Sequence, residues 1–185
     1  MAFLTALWVP ILVSALVVFI MSALNWTVLP FHKKEFSGLK NEDAVMDAIR
    51  AAGVGPGRYI VPWMDNGKLM ATPEGRAKME RGPLAMITVG PSGMRGMGPM
   101  MVQSFLSGVV ISIFVAYLAF HSLAPGAEYM SVFRITGTAT FMAYGLGYLA
   151  ESVWFWRPWK SCFLQLFDSL VYGLLAGGVF GWLWP

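Results

Sequence analysis

Charge is scarce in this chain of 185 residues. Only 12% of the residues are charged, against about 25% in a typical soluble domain. The charges are also concentrated: ten of the 13 Lys and Arg residues and seven of the 10 Asp and Glu residues lie between His32 and Met100. With 57% hydrophobic residues, this composition excludes an ordinary soluble globular protein and a disordered chain. The small net charge of +3, with acids interleaved among the basic residues, argues against nucleic-acid binding.

Cysteine and histidine are also scarce, with one cysteine and two histidines. The single Cys162 excludes a disulfide scaffold and has no CxxC partner. The two histidines, His32 and His121, fall at opposite ends of predicted spans, about 30 Å apart, which excludes a shared haem or metal within one chain. No Walker loop and no GxSxG motif is present. The sequence therefore predicts no cofactor, and it favours a non-catalytic protein over an enzyme.

Long apolar runs are what the sequence has in abundance. Crossing a hydrocarbon core about 30 Å thick takes roughly 20 residues of helix, and four segments qualify: Phe3 to Leu24, Met100 to Phe120, Ser131 to Ala150 and Ser161 to Trp184. Uninterrupted runs of this length predict helices rather than barrel strands. We expect the first span to be retained rather than cleaved as a signal peptide, because Met1 to Leu7 carries no basic residue.

The predicted fold is an all-α membrane protein, in which four transmembrane helices carry a small α+β insertion between the first and second. The expected divisions are a first transmembrane helix (1–30), an insertion with a Gly- and Met-rich linker (31–99) and a three-helix transmembrane region (100–185). Within the insertion, Asn41 and Thr72 are predicted to begin two short helices, the first ending at Gly53. Strands are expected near 58–62 and 84–89, with a turn at 65–68.

Basic residues flank the spans on one side only, apart from Arg134. This side carries Lys33, Lys34, Lys40, Arg95, Arg157 and Lys160. The positive-inside rule then predicts a cytoplasmic insertion, with both termini outside. We interpret Arg134 as an interfacial residue near the outer face that reaches toward Glu128. Glu151, at the inner end of the third span, is expected to pair with Arg157 or Lys160, and such exposed pairs contribute little.

Small residues recur at every fourth position in three of the spans. Close backbone approach at such ridges drives helix association in lipid. The ridges are Ser169, Gly173, Gly177 and Gly181 in the fourth span; Ser104, Gly108, Ser112 and Ala116 in the second; and Ala139, Ala143 and Gly147 in the third. The pattern predicts tight helix contacts. We favour contacts within the chain over contacts with a neighbour.

Asp168 is the acidic residue placed well inside a span, and such residues are functional candidates by default. Gln165 and Tyr172 share its helix face, and depth counting places Tyr144 and Ser107 at its level. A polar cluster of Asp168, Gln165, Tyr172, Tyr144 and Ser107 is therefore expected, with Ser104 as an alternative partner. It would be either a proton or ion relay or a structural hydrogen-bond knot. We favour the knot, because no second buried acid or base continues a path.

A methionine cluster precedes the second span. Met94, Met97, Met100 and Met101 lie in or beside a Gly- and Pro-rich linker. Thioether sulfurs are suitable ligands for Cu(I). A flexible joint leading into a helix is the favoured interpretation, because no cysteine or histidine lies nearby.

Several short motifs resemble those of a group of small, uncharacterised bacterial inner-membrane proteins with four predicted spans. The resemblance rests on Asn25-Trp26 followed by Val28-Leu29-Pro30 and His32-Lys33, and on Val132-Phe133-Arg134 with Gly137-Thr138. It rests also on Trp154-Phe155 followed by Pro158-Trp159, and on Gly181 to Pro185. The resemblance implies the four-span architecture and a bacterial cytoplasmic membrane. It implies no activity and transfers no catalytic residues.

Three functions remain open from the sequence. The first is an accessory or assembly subunit of a larger membrane complex, whose partners are the lipid bilayer and other membrane subunits. The second is a small transporter or proton-coupled permease that uses Asp168 and Gln165. The third is a Cu(I)-handling protein that uses the Met94 to Met101 cluster.

Overall fold

The computed structural model describes residues 2–65 and 67–185, and this part of the chain is mostly helical. The elements are α1 (Ala2–Thr27), a 3₁₀ turn (His32–Lys34), α2 (Glu42–Ala51), β1 (Gly57–Val61), α3 (Gly67–Ala71), α4 (Pro73–Arg81), β2 (Ala85–Val89), α5 (Met97–Ser122), α6 (Tyr129–Phe141), a π-helical segment (Met142–Leu146), α7 (Gly147–Trp154) and α8 (Trp159–Trp182). They form two compact units, one of residues 1–37 with 96–185 and one of residues 38–95.

Three helices of the described chain are long and apolar enough to cross a membrane: α1, α5 and α8. They correspond to the first, second and fourth predicted spans, and each extends one to three residues beyond at least one of the expected limits. The third predicted span corresponds to a continuous helical segment made of α6, the π-helical segment and α7. It is not among the three, so the expectation of four spans is met only in part.

The first unit is a helical bundle in which α8 packs against α6 and α1, and α1 also packs against α5. Its largest apolar cluster is built around Leu7, Val115, Val132 and Phe180, all of which are buried. We call this the apolar end of the bundle. There Trp184 Nε1 donates to the Ala124 carbonyl at 3.1 Å, so the end of the chain is held against the loop between α5 and α6.

The small-residue ridge of α8 faces α6. A Cβ added at Gly173 would lie 2.7 Å from the Gly137 carbonyl oxygen, and one at Gly177 would lie 2.9 Å from the Phe133 carbonyl oxygen. Real Cβ atoms do not approach so closely, so the glycines permit the two backbones to touch. At Gly181 the space is filled by the Tyr129 ring, and Ser169 packs against Gly145. The contacts of this ridge therefore lie within the chain.

The other two ridges are used only in part. In α5, Gly108 and Ser112 are buried, and Gly108 lies against Ala15 of α1. Ser104 is exposed. In the third segment the contact with α8 is made by Gly137 and Gly145, whereas a Cβ at Gly147 would meet nothing within 4 Å. The prediction of a packing ridge through Gly147 was wrong, because the row that meets α8 runs through Phe133, Gly137, Phe141 and Gly145, two positions away from the predicted row.

The second unit combines three short helices with a two-stranded sheet. β1 and β2 pair antiparallel, with Tyr59 opposite Ile87. The helix predicted from Asn41 is α2, and it ends before Gly53, whose φ is +64°. Thr72 caps α4 as expected, since its Oγ1 accepts from Gly75 N at 3.0 Å. The turn predicted at 65–68 is only partly described: Asn66 lies outside the described residues, and α3 begins at Gly67.

The boundary between the units differs from the sequence expectation. The insertion was predicted to begin at residue 31, but residues up to Ser37 belong to the helical bundle. The reason is that His32 is buried and Glu35 half-buried in contacts with the bundle. This short segment supplies the main side chains of the site described next.

Candidate functional site

Asp168 lies in the first half of α8 and is 2% exposed. Its two carboxylate oxygens have separate partners: Asn25 Nδ2 donates to Oδ1 at 2.9 Å, and His32 Nε2 lies 2.8 Å from Oδ2. Asn25 is in the last turns of α1, and His32 follows that helix. The carboxylate is therefore held by residues more than 130 positions away in the sequence.

His32 reaches Asp168 because the chain turns back after α1. The amides of Val28 and Leu29 both donate to the Leu24 carbonyl, at 2.9 and 3.0 Å, and Pro30 follows. Proline cannot continue the helix, so α1 ends and a 3₁₀ turn begins at His32. The imidazole lies flat against the Trp26 ring, with 4.2 Å between centroids and 13° between planes. Stacking and burial fix the orientation of the imidazole.

The second ring nitrogen of His32 contacts Glu35. Nδ1 pairs with Glu35 Oε1, and the two side chains are 1% and 5% exposed. The imidazole thus bridges two buried carboxylates, Asp168 and Glu35, one at each nitrogen. A neutral imidazole offers one N–H donor and one acceptor, so two carboxylates at both nitrogens require one further proton. The arrangement brings three ionisable side chains into direct contact, with His32 between the two carboxylates.

Arg157 extends this chain of charges toward the surface. Its Nη2 lies 3.8 Å from Glu35 Oε2, and its guanidinium carbon lies 4.5 Å above the Tyr148 ring. Its side chain is 29% exposed, compared with 5% for Glu35. Its Nε is buried and has no hydrogen-bond partner among residues 2–65 and 67–185. We call Asn25, His32, Glu35, Arg157 and Asp168 the ionic end of the bundle.

The turn that contains Arg157 has an uncommon backbone conformation. Trp156 has φ of +55°, the left-handed region, and is the non-glycine residue of the described chain that lies there. A bulky side chain in that region costs about 1–2 kcal/mol. The adjoining Arg157 amide donates to the Glu151 carbonyl at 3.3 Å, so the chain folds back over the end of α7. Strain of this kind concentrates at functional sites.

An open cleft of about 380 Å³ lies beside the ionic end. It is lined by Ala143, Tyr144, Gly147, Tyr148, Glu151 and Arg157. The lining comes from the π-helical segment, from α7 and from the turn after α7. Ala143 and Gly147 have small or no side chains, and the charged groups of Glu151 and Arg157 both border the cleft. π-Helical segments are frequent at functional sites, because they shift side chains out of the regular helical packing.

The structure rearranges the polar cluster expected around Asp168. Ser107 is exposed and donates from Oγ to its own helix, at the Gln103 carbonyl, so the expected bond to Asp168 is not made. Tyr144 contributes through packing: its ring meets that of Tyr172 edge-on, with 5.4 Å between centroids. Gln165 is buried on the Asp168 side of α8, and its backbone carbonyl oxygen accepts a hydrogen bond from Ser169 Oγ at 2.6 Å. Depth counting placed Tyr144 correctly beside α8, where it contacts Tyr172, but it placed Ser107 wrongly and overlooked the segment after α1.

Sequence reasoning missed Asn25, His32 and Glu35. It also favoured a structural knot because no second buried acid or base was expected, and the structure supplies both in Glu35 and His32. One signal was available: polar residues at the end of an apolar span, followed closely by Pro30. Such a pattern is compatible with a segment that turns back into the bundle.

The remaining predicted site residues lie elsewhere. Arg134 is exposed and borders a groove that Gly137 and Gly173 also line. Lys160 is exposed in the first turn of α8. His121 lies at the opposite end of α5 and packs against Tyr117, with 4.5 Å between ring centroids.

Three of the four clustered methionines come together. Met97, Met100 and Met101 line a cleft with Trp26 of α1, whereas the Met94 side chain is fully exposed. Cys162 is buried in α8. Within residues 2–65 and 67–185, no group of three or more His, Cys, Asp or Glu side chains is arranged to hold a metal ion.

Comparisons with known proteins add no relatives. No family model, no curated protein and no solved structure matches the chain.

Proposed function

We propose that the chain is a small proton-coupled permease of the bacterial cytoplasmic membrane, with four spans, both termini outside and the insertion in the cytoplasm. The single observation that carries the proposal is the imidazole of His32 bridged between Asp168 and Glu35, with all three side chains at most 5% exposed. Histidine is the side chain whose ordinary titration falls near physiological pH. Ionisable residues inside membrane bundles mark ion and proton pathways.

The four-span arrangement is supported by the bundle itself. The segment from α6 to α7 runs alongside α8 for most of its length, through Phe133, Gly137 and Gly145. In the proposed arrangement this continuous segment, packed along α8, adds the fourth crossing. An even number of crossings leaves both termini on the same side of the membrane. The Lys and Arg residues then fall on one side of the bilayer, apart from Arg134.

Proton release from the cluster is expected to require a conformational change. With the extra proton present, His32 donates to both carboxylates, and Arg157 balances the remaining negative charge. Once the proton leaves, one carboxylate faces a ring lone pair in a site shielded from water, which is costly. Movement of the His32 turn away from Asp168 relieves this repulsion. Proton movement and opening of the bundle are thereby coupled.

The test is solute-driven proton movement in proteoliposomes that contain a pH-sensitive dye. The purified chain is challenged with a panel of small amines, acids and zwitterions, and internal pH is followed. Asp168→Asn keeps a hydrogen-bonding side chain of the same shape but removes the carboxylate, so we expect folded protein without proton movement. Asp43→Asn, an exposed acid on α2, is the matched control and should behave as the parent. Undiminished proton movement in Asp168→Asn overturns the proposal.

An accessory subunit is the second candidate function, and one observation favours it. The second unit has a cleft of about 490 Å³ bordered by apolar residues of α2, of both strands and of the loop between α2 and β1: Val45, Ile49, Val54, Ile87 and Val89 among others. The buried residues of the described chain include none from α2. Exposed apolar surface of this kind is typical of interaction sites. Isolation from native membranes in mild detergent distinguishes the two, since an accessory subunit co-purifies with a stoichiometric partner.

A further inference from the structure

The open cleft beside the ionic end combines opposite charges in a small space. Arg157 presents a guanidinium at one side, Glu151 a carboxylate, and Tyr144 and Tyr148 two aromatic rings. Its volume of about 380 Å³ is in the range of small-ligand pockets. A simple anion would meet the Glu151 carboxylate, and a simple cation would meet Arg157. A molecule that carries both charges would place an opposite charge beside each of these two side chains.

We propose that this cleft binds a zwitterion that carries a primary ammonium and an anionic oxygen group. The ligand's acidic group pairs with Arg157, and its ammonium pairs with Glu151 beside the Tyr144 ring. Two sources share this chemistry: a free amino acid, or the headgroup of phosphatidylethanolamine. The inference deepens the proposed function, on which it rests, by naming the class of ligand that the protein takes.

Arg157 is prepared for such a ligand. Its side chain is 29% exposed, and its Nη2 is 3.8 Å from Glu35, beyond hydrogen-bond range. Guanidinium groups bind carboxylate and phosphate groups through pairs of N–H donors. The Tyr148 ring and the left-handed turn at Trp156 hold the side chain at the edge of the cleft. The guanidinium therefore has donor capacity left for an acid.

The same arginine connects the cleft to the buried cluster. Arg157 Nη2 lies 3.8 Å from Glu35 Oε2, and Glu35 contacts His32, which in turn contacts Asp168. An acidic group that binds Arg157 competes with Glu35 for the positive charge. Glu35, Asp168 and His32 are then left with less compensation, which favours retention of the proton. Ligand binding and proton uptake therefore support each other, as co-transport in one direction requires.

The experiment measures binding to the full-length chain in dodecyl maltoside, through the shift of its tryptophan-detected melting temperature. The probes are glycine, glycerophosphoethanolamine, and three phospholipids with ethanolamine, choline or glycerol headgroups. We expect stabilisation by a primary-ammonium zwitterion. Choline lacks N–H donors for Glu151 and phosphatidylglycerol lacks the ammonium, so both should stabilise less. Equal stabilisation by the three lipids, with none by glycine or glycerophosphoethanolamine, overturns the proposal.

Two variants locate the site. Arg157→Gln and Glu151→Gln should each weaken binding by about tenfold or more, because each loses a charge-assisted hydrogen bond. Arg134→Gln and Glu128→Gln, at the other end of the bundle, are the matched controls and should bind as the parent. Should Arg157→Gln fail to fold, Glu151→Gln decides alone. Parental affinity in Glu151→Gln overturns the proposal.

The source of the ligand follows from the soluble probes. Binding of glycine or glycerophosphoethanolamine identifies a free solute, whereas binding of phosphatidylethanolamine alone identifies a lipid headgroup. Both outcomes support the shared chemistry. Failure of this inference and failure of the proposed function are distinguishable in the parent chain. Zwitterion binding without proton movement means that the cleft is correct and the proposed function is not, and proton movement without zwitterion binding means that the cluster alone is correct.

Discussion

The two ends of the helical bundle are stabilised in different ways. The apolar end packs Leu7, Val115, Val132 and Phe180 with almost no exposed surface. The ionic end buries the ionisable side chains of His32, Glu35 and Asp168, with His32 in contact with both carboxylates. Packing of the first kind tolerates a change of charge in its surroundings, whereas the second depends on every partner being present. The ionic end is therefore where the molecule can change state.

Removal of Asp168 without a polar replacement should have the largest effect on stability. Asp168→Leu leaves Asn25 Nδ2 and His32 Nε2 buried without their acceptor, and breaking such a pair costs about 3–5 kcal/mol. Asp168→Asn keeps an acceptor for Asn25 and should remain within about 1 kcal/mol of the parent. Denaturant titration in mixed micelles measures the free energy of unfolding. Equal stability of the Leu and Asn variants would contradict the buried arrangement.

The glycine contacts between α8 and α6 should show an intermediate effect. In Gly177→Ala the new Cβ would lie 2.9 Å from the Phe133 carbonyl oxygen, and overpacking of this kind costs about 1–3 kcal/mol. Gly178→Ala is the matched control at the adjacent position, because its nearest neighbour is the Tyr129 hydroxyl at 3.7 Å. We expect the first variant to unfold more easily and the second to match the parent or exceed it slightly. Equal behaviour of both variants would mean that the helices do not approach closely at Gly177.

Patterns that are local along the chain could be predicted from the sequence. The apolar runs gave α1, α5 and α8, the four-residue spacing identified the ridge of α8, and Thr72-Pro73 located the start of α4. Each depends on residues within a few turns of one another, so the sequence contains the necessary information. Asp168 was singled out for the same reason, as an acid within an apolar run.

Its partners could not be predicted, because they depend on where a loop folds. Pro30 indicates only that the helix ends and not where the following residues fold, and depth counting along straight helices led to Tyr144 and Ser107 instead. The packed face of the third segment is a second example, since the row that meets α8 runs through Gly137 and Gly145 and not through Gly147. Both features arise from long-range packing, which residues close along the chain do not specify.

The smallest expected effect concerns the turn that presents Arg157. Trp156 has φ of +55°, and asparagine adopts that region more easily than tryptophan. Trp156→Asn should therefore recover about 1 kcal/mol of backbone strain, partly offset by the loss of a half-exposed ring. Trp154→Asn is the control, because it removes an exposed ring from a helical position without relieving strain. The melting temperature of Trp156→Asn should exceed that of Trp154→Asn. If the two variants melt together, the turn stores no strain, and the orientation of Arg157 depends on Tyr148 and Glu35 alone.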